Sequence, residues 1–293
     1  MPELPEVETV ANGVHARVHG RRIVSVWTSG KPQTFKSPEA EIADALSGAT
    51  IENVRRVGKT IVMTVVRPGA KKQSSQIEFL IHLGMTGRLL VSQAEVPLPP
   101  HTHAVLALSD GREVRFVDPR RFGRLSIHHS GGSGSRDRKR EAAGEDQAAR
   151  GYTGPGREPL TISLEDFVAL FRGRKTPIKA ALLNQSLLHG VGNIYADESL
   201  FRAGIRPRRQ AGRLTRVELG RLRKALVEVL RHAIKLGGSS VSDYVDADGV
   251  RGFFQLQHKV YMRTGQPCLV CGTPIKKITI AGRSTHFCPD CQR

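Results

Sequence analysis

Apolar and polar positions divide this chain into a β-patterned first half and a helical second half. Behind Pro5, the residues Val7, Val10, Ala11, Val14 and Val18 recur at helical spacing and predict an amphipathic first helix. Glu6 and Glu8 fall in its first turn, where the helix dipole favours acids, and Gly20 marks its stop. "RRIVSVWTSG" then reads as a strand. From about residue 50 to 128 the runs "TIENVRRVG", "KTIVMTVV", "QIEFLIHLGM", "RLLVSQ", "HAVLALSDGREVRFVD" and "GRLSIHH" are short, β-branched and separated by turn residues. Within "SDGRE", Gly111 tolerates the positive φ of a hairpin turn. Short strands in series predict a sandwich or barrel.

Residues 130–158 are Gly-rich, charged and nearly free of large apolar groups, so they read as a flexible insert or linker. The helical period follows. "SLEDFVALFRGR" has Ser163 as its N-cap. "PIKAALLNQSLL" and "IYADESLFRAGI" predict two short helices around "HGVGN", and "TRVELGRLRKALVEVLRHAIKLG" predicts a long amphipathic one. A polar loop, "GSSVSDYVDADGVRGFFQLQ", leads to the cysteine-bearing end. No internal repeat is present.

Composition narrows the class. With 293 residues, 39% hydrophobic and 25% charged, the chain suits a soluble globular protein of one large or two ordinary domains. Lys and Arg total 45 against 27 acids, a formal net charge of +18. That excess points to a polyanionic partner, nucleic acid before a ribosome or a merely soluble surface. No apolar run is long enough to span a bilayer, and no apolar segment of a secretory signal follows the start. A cytoplasmic setting without a membrane partner is therefore expected. All four cysteines lie in the last 26 residues, whereas a disulfide framework is more often spread through a small secreted domain.

Three stretches carry chemistry. Cys268, Cys271, Cys288 and Cys291 form C-x2-C-x16-C-x2-C, whose two close pairs suit one tetrahedral zinc site; two disulfides or free thiols are the other readings. Four thiolates leave no open position, so the metal is structural and nearby His286 is not needed. Between the pairs, two strands around "AGRS" place Arg283 near a hairpin tip, suited to a phosphate backbone. In "LLHGVGNIYADESLF", Gly190, Gly192 and Asn193 form either an ordinary turn or a helix start whose N–H groups face an anion. At the N-terminus, Pro2 and Pro5 either shape the helix entry or, with a free proline amine, supply a nucleophile for aldehydes beside a proton-carrying Glu3.

Taken in series, "PELPEVE", "HLGMTGRL", "DPRRFGR", "GVGNIYADESLFRAGIRP" and the C-terminal CxxC pair resemble the formamidopyrimidine-DNA glycosylases over nearly the whole chain, residues 130–158 excepted. The resemblance implies an α+β fold: an N-terminal two-layered β-sandwich with helices, a helical domain with a helix–two-turn–helix motif, and a four-cysteine zinc-finger β-hairpin. The expected division is 1–129 catalytic, 130–158 insert, 159–257 helical with a loop at 239–257 that closes over an everted 8-oxoguanine, and 258–293 zinc finger. The implied activity is bifunctional: a monomeric bacterial repair enzyme at the nucleoid flips an oxidised purine from damaged double-stranded DNA, cleaves its glycosidic bond and cuts the strand by β- and δ-elimination. Its implied cofactor is one structural zinc.

The same resemblance assigns residues. Pro2 is the nucleophile at C1′ and Glu3 the general acid/base. Lys59, in "VGKTI", is the proton donor of β-elimination, although a lone Lys at a strand end is more often simply solvated. Arg283 contacts the phosphates flanking the lesion and assists δ-elimination. Met85, Arg120 and Phe122 fill the void left by the flipped base, with Arg120 on the orphaned partner; from sequence alone, core packing is the commoner fate of Met85 and Phe122. His101, Arg174, Lys179 and Asn193 match DNA-contacting positions. Bending and unstacking DNA cost free energy that phosphate contacts and counterion release offset, which gives the basic charge a purpose and predicts steep salt dependence.

Two alternatives stand beside this reading. An endonuclease VIII-like enzyme for oxidised pyrimidines tends to begin "PEGPE" and lacks the full wedge set; Leu4 and the Met85, Arg120, Phe122 set favour the purine branch. A non-catalytic zinc-finger DNA-binding protein would not need Pro2, Glu3 and Lys59 together. With Met1 attached, the Pro2 nitrogen is a tertiary amide without a nucleophilic lone pair, so removal of Met1 is expected.

Overall fold

A computed structural model describes residues 1–67, 76–129, 151–240, 245–250 and 252–293. The chain divides into two compact units. The first holds Met1–Pro2, Val7–Thr153 and Asp243–Val250; the second holds Glu3–Glu6, Gly154–Ser242 and Arg251–Arg293. Among the described residues, no helix is long and apolar enough to cross a membrane.

From Val7 onward helix α1 (Leu4–Val18) belongs to the first unit and contributes the predicted stripe there, with Val7, Val10, Ala11, Val14 and Val18 all buried. Two antiparallel four-stranded sheets follow. One has the order β2 (Thr50–Val57), β3 (Thr60–Val66), β4 (Gln76–His82), β8 (Arg124–His129). The other has the order β1 (Ile23–Thr28), β6 (Thr102–Leu108), β7 (Arg112–Val117), β5 (Arg88–Gln93). Ile61, Met63, Phe79 and Ile81 from the first sheet share one core with Leu89, Leu106, Val114 and Phe116 from the second, which makes this a two-layered sandwich. Helix α2 (Glu39–Leu46) is an additional short element that buries Ile42, Ala45 and Leu46.

Residues 130–150 of the expected insert lie outside the described residues. Its described end is tied down. Tyr152 N donates to Glu78 Oε2 at 2.6 Å, and Arg55 donates to both Glu78 (2.8 Å) and the Tyr152 carbonyl (3.0 Å). A buried carboxylate needs such partners, and Glu78 takes them from the chain. Farther on, Arg157 exchanges backbone hydrogen bonds with Leu187 and His189 in the second unit.

The second unit is helical: α3 (Leu164–Phe171), α4 (Ile178–Leu183), α5 (Asn193–Ala203) and α6 (Arg216–Lys235). Ser163 caps α3 as predicted, its hydroxyl accepting from Asp166 N at 3.0 Å. Helix α4 stops at Leu183, five residues short of the predicted end. Side chains take over the backbone there: Asn184 accepts from Ser186 N, and Gln185 bridges Gly190 N and the Val191 carbonyl. Thr215 and Glu218 form a reciprocal capping box on α6. Strands β9 (Lys276–Ile280) and β10 (Arg283–Phe287) make the terminal hairpin, over a small cluster of Phe201, Val260, Ile275, Cys268 and Cys288.

Candidate active site

The start of α5 has no side-chain cap from its own segment. Glu3 supplies one from across the second unit. Its carboxylate accepts from Ile194 N at 3.1 Å and from Tyr195 N at 3.5 Å. The approach is possible because residue 192 is glycine: a Cβ there would lie 2.2 Å from Glu3 Cδ. The anion at the helix-start N–H groups is therefore a carboxylate of the protein itself.

Glu3 is itself fixed. Its N–H donates to Glu6 Oε2 at 2.8 Å, and Leu4 N donates to the Gly190 carbonyl at 3.0 Å. Glu6 also accepts from Ser239 N at 2.7 Å and from the Tyr195 hydroxyl. Burial pushes the Glu6 carboxyl above its ordinary range, opposed by the hydrogen bonds from Tyr195, Ser239 and Glu3. Pro2, one residue before Glu3 in the chain, is buried in the first unit.

Beside this acid lies a second buried network. Lys179 Nζ is 2.7 Å from Asp197 Oδ1, both fully buried. It also donates to the Ser284 carbonyl (2.8 Å) and Thr285 Oγ1 (2.9 Å). Two hairpin acceptors and the Asp197 charge surround the ammonium, so Lys179, expected at a DNA-contacting position, is placed with its side chain facing inward to the hairpin. Burial lowers the Lys179 pKa, with Asp197 pulling the other way. Asp197 Oδ2 accepts from His286 N at 2.9 Å. Asn193, half-buried, donates to Ser284 Oγ at 3.3 Å. Glu3, Asn193 and the base of the Arg283 hairpin are thus gathered around α5, while Arg283 itself is exposed at the start of β10, opposite Ile280.

Cys268 and Cys291 Sγ are 3.8 Å apart, Cys271 and Cys288 Sγ 3.4 Å, and all four lie within 4.8 Å of one another. These distances exclude disulfides and match the ~3.8 Å separation of thiolates on one tetrahedral zinc. The four cysteines form one closed zinc site.

In the first unit, Lys59 occupies the turn between β2 and β3, half-exposed. Arg56 steadies that turn by donating to Glu8 Oε2 (2.5 Å) and to the Gly58 carbonyl (3.4 Å). Across the sheet, His82 pairs in register with Thr60. Its Nδ1 accepts from Gly84 N at 3.0 Å, and burial, then Lys59 and Arg124, lowers its pKa. His82 carries no local sequence signal; the strand register sets it beside the lysine turn.

Met85 and Phe122 are 40% and 47% exposed, which removes the core-packing alternative. Gly84, at φ 64°, lets their two turns touch: a Cβ there would lie 2.5 Å from the Phe122 carbonyl carbon. The Arg120 guanidinium lies 4.8 Å from the Phe122 ring centre. His101 is exposed with φ 65°. Arg174 is exposed in the second unit, its Nε donating to the Leu170 carbonyl at 2.5 Å.

Three family models match the chain: the formamidopyrimidine-DNA glycosylase N-terminal domain over residues 1–125, the H2TH domain of the same enzymes over 155–245, and the zinc finger found in FPG and IleRS over 265–293. The formamidopyrimidine-DNA glycosylase of Solibacter usitatus is 43% identical over 294 residues, covering 100% of both chains. That of Acidiphilium cryptum is 42% identical over 300 residues, again covering 100% of both. Among solved structures, a Lactococcus lactis FPG mutant in complex with a Fapy-dG-containing DNA superposes with a TM-score of 0.85 at 31% identity, over 100% of both chains. The Thermus thermophilus FPG protein superposes with a TM-score of 0.79 at 40% identity, over 99% of this chain and 98% of that one.

Proposed function

The chain belongs to the formamidopyrimidine-DNA glycosylase family, and from that premise we propose how its own residues do the work. It is a base-excision repair glycosylase that removes oxidised purines and an AP lyase. Its DNA partner is damaged duplex, which a chain with a formal net charge of +18 attracts. It works as a monomer in the bacterial cytoplasm, at the nucleoid, without a membrane partner. Residues 1–129 form the catalytic domain, 159–257 the helical domain and 258–293 the zinc finger. Residues 130–158 are an insert.

Once Met1 is removed, Pro2 carries a secondary amine, and α-amines titrate far closer to neutrality than Lys. Its lone pair attacks C1′ of the flipped nucleotide; the C1′–N bond breaks and the base leaves with a proton. The sugar ring opens to an iminium on Pro2. Loss of a C2′ proton then breaks the 3′ C–O bond, with Lys59 as proton donor, and a further elimination at C4′ releases the 5′ phosphate, assisted by Arg283. Glu3 moves protons beside the amine. Its fixed position on α5 is the observation that most supports this reading, because a general acid must be held within reach of its proton.

Met85, Arg120 and Phe122 fill the vacated stack; His101, Arg174 and Asn193 contact the backbone. The loop expected to close over the base, 239–257, falls partly outside the described residues, at 241–244 and 251. Lys179 is the anchor of the zinc hairpin and acts on DNA through it. Zinc supplies shape and no chemistry.

Borohydride trapping on abasic duplex tests the chemistry. Protein shown by mass spectrometry to start at Pro2 should form a covalent adduct, and Met1-retaining protein should not. No adduct from the processed protein would sink the enzyme mechanism. In competition, 8-oxoguanine·cytosine duplex should be cut before thymine-glycol duplex; the reverse order would overturn the purine assignment.

A further inference from the structure

Met85, Arg120 and Phe122 sit on two separate turns, yet a wedge must enter the base stack as one body. We infer that Asp118 is the positioning residue of that wedge: its buried carboxylate locks the two turns into a single register. The inference rests on the wedge assignment above.

Asp118 is 0% exposed, although it lies only two residues from exposed Arg120. Its Oδ1 accepts from Thr86 Oγ1 at 2.5 Å and from Arg120 N at 3.3 Å. Its Oδ2 accepts from Gly123 N at 2.7 Å. Thr86 follows Met85, and Gly123 follows Phe122. One carboxylate therefore grips the chain immediately beside or at each of the three wedge residues. Asp118 N also donates to the His101 carbonyl at 3.0 Å, which brings a fourth expected DNA contact onto the same residue.

The arrangement has a physical rationale. Hydrogen bonds in a site shielded from water are stronger than exposed ones, and the Asp118 carboxylate is buried. Ordering the turns during folding removes that entropic cost from DNA binding. A wedge held by flexible turns would give up binding free energy to ordering at the moment the base is flipped.

An amide cannot replace the carboxylate. In Asp118→Asn, the NH2 group faces either Gly123 N–H or the pair of Thr86 and Arg120 donors. Thr86 can rotate its hydroxyl, but a backbone N–H cannot. Each orientation leaves one wedge-turn N–H facing a donor. Thr86→Val cuts only the tie to the Met85 turn and leaves both backbone bonds in place.

The test is single-turnover excision from 8-oxoguanine·cytosine and 8-oxoguanine·adenine duplexes, with cleavage at an abasic site in single-stranded DNA as the comparison. A single strand has no opposite base and no void to fill. Asp118→Asn should slow excision from the cytosine duplex roughly tenfold or more and narrow the preference for cytosine over adenine, leaving single-strand cleavage unchanged. Thr86→Val should move both duplex readouts in the same direction by less, and it carries the test if Asp118→Asn does not fold. Equal losses on single-stranded and duplex DNA would overturn the inference, since that is what general loosening of the fold produces. Arg120→Ala and Phe122→Ala are the benchmark. If they slow duplex excision and the folded Asp118→Asn and Thr86→Val proteins do not, Asp118 is not the positioning residue. If the benchmark variants themselves match wild type, the wedge assignment falls first.

Discussion

Glu3 caps helix α5 from outside its own segment, with Oε1 3.1 Å from Ile194 N and Gly192 leaving room for the approach. Position 192 therefore controls the acid although it carries no chemistry. Gly192→Ala would put a Cβ 2.2 Å from Glu3 Cδ, and the carboxylate must move by about an ångström or more. Misplacement on that scale can cost roughly a hundredfold in rate. Single-turnover base excision by Gly192→Ala should fall by about that factor, with zinc content and far-ultraviolet circular dichroism unchanged. A wild-type rate from the folded variant would show that Glu3 does not act from this place.

The pair Lys179 and Asp197 is fully buried at 2.7 Å. Removing one partner of such a pair leaves an uncompensated buried charge, at a cost of about 3–5 kcal/mol. Lys179→Met should lower the unfolding free energy in urea by that order. Adding Asp197→Leu should recover most of it, because an apolar pair of similar volume is commonly no worse than the ions. If Lys179→Met instead left stability intact and raised the dissociation constant for DNA, the lysine would be a surface contact after all.

How much of this was readable beforehand depends on whether a feature is local. The zinc spacing, the Ser163 cap, the hairpin bearing Arg283 and the helical stripe of α1 are each set within one short continuous stretch of chain, and the structure has them where the sequence placed them. The family segments led directly to the domain matches. The inward direction of Lys179 was not legible, because nothing in "PIKAALL" shows that the lysine faces a hairpin 105 residues away. The same limit hid Glu3 on α5, 191 residues distant, and His82 beside the lysine turn. Helix α2 escaped because eight residues hold too little period to register.

Glu218 offers a pH-dependent readout. Its side-chain hydrogen bond with Arg209 comes first, with Thr215 adding, and together they pull its carboxyl from 4.5 to about 2. A depressed carboxylate stabilises the fold above its unfolded pKa, and that contribution fades as pH falls from 4.5 towards 2. Arg209→Met should therefore raise the Glu218 titration midpoint, followed by carboxyl NMR. Its deficit in thermal stability against wild type should be present at neutral pH and shrink below pH 4.5. A deficit that stays constant down to pH 2 would assign the loss to packing of the arginine stem.

Zinc removal should separate shape from chemistry. The terminal hairpin has little core of its own; Cys268 and Cys288 are buried members of a cluster with Phe201, Val260 and Ile275. Without metal the clip between the two cysteine pairs is lost, and with it the register that presents Ser284 and Thr285 to Lys179 and holds Arg283 at the start of β10. Metal analysis should give one zinc per chain. Chelation should abolish strand cutting and weaken binding to abasic duplex by roughly tenfold or more, read by fluorescence anisotropy, as expected when charge-assisted phosphate contacts are lost. Readdition of zinc should restore both. Because four thiolates close the site, cobalt or cadmium should restore them nearly as well. A catalytic rate that followed the identity of the metal would place the ion in the chemistry, and a metal-free chain that still bound and cut DNA would remove the hairpin from it.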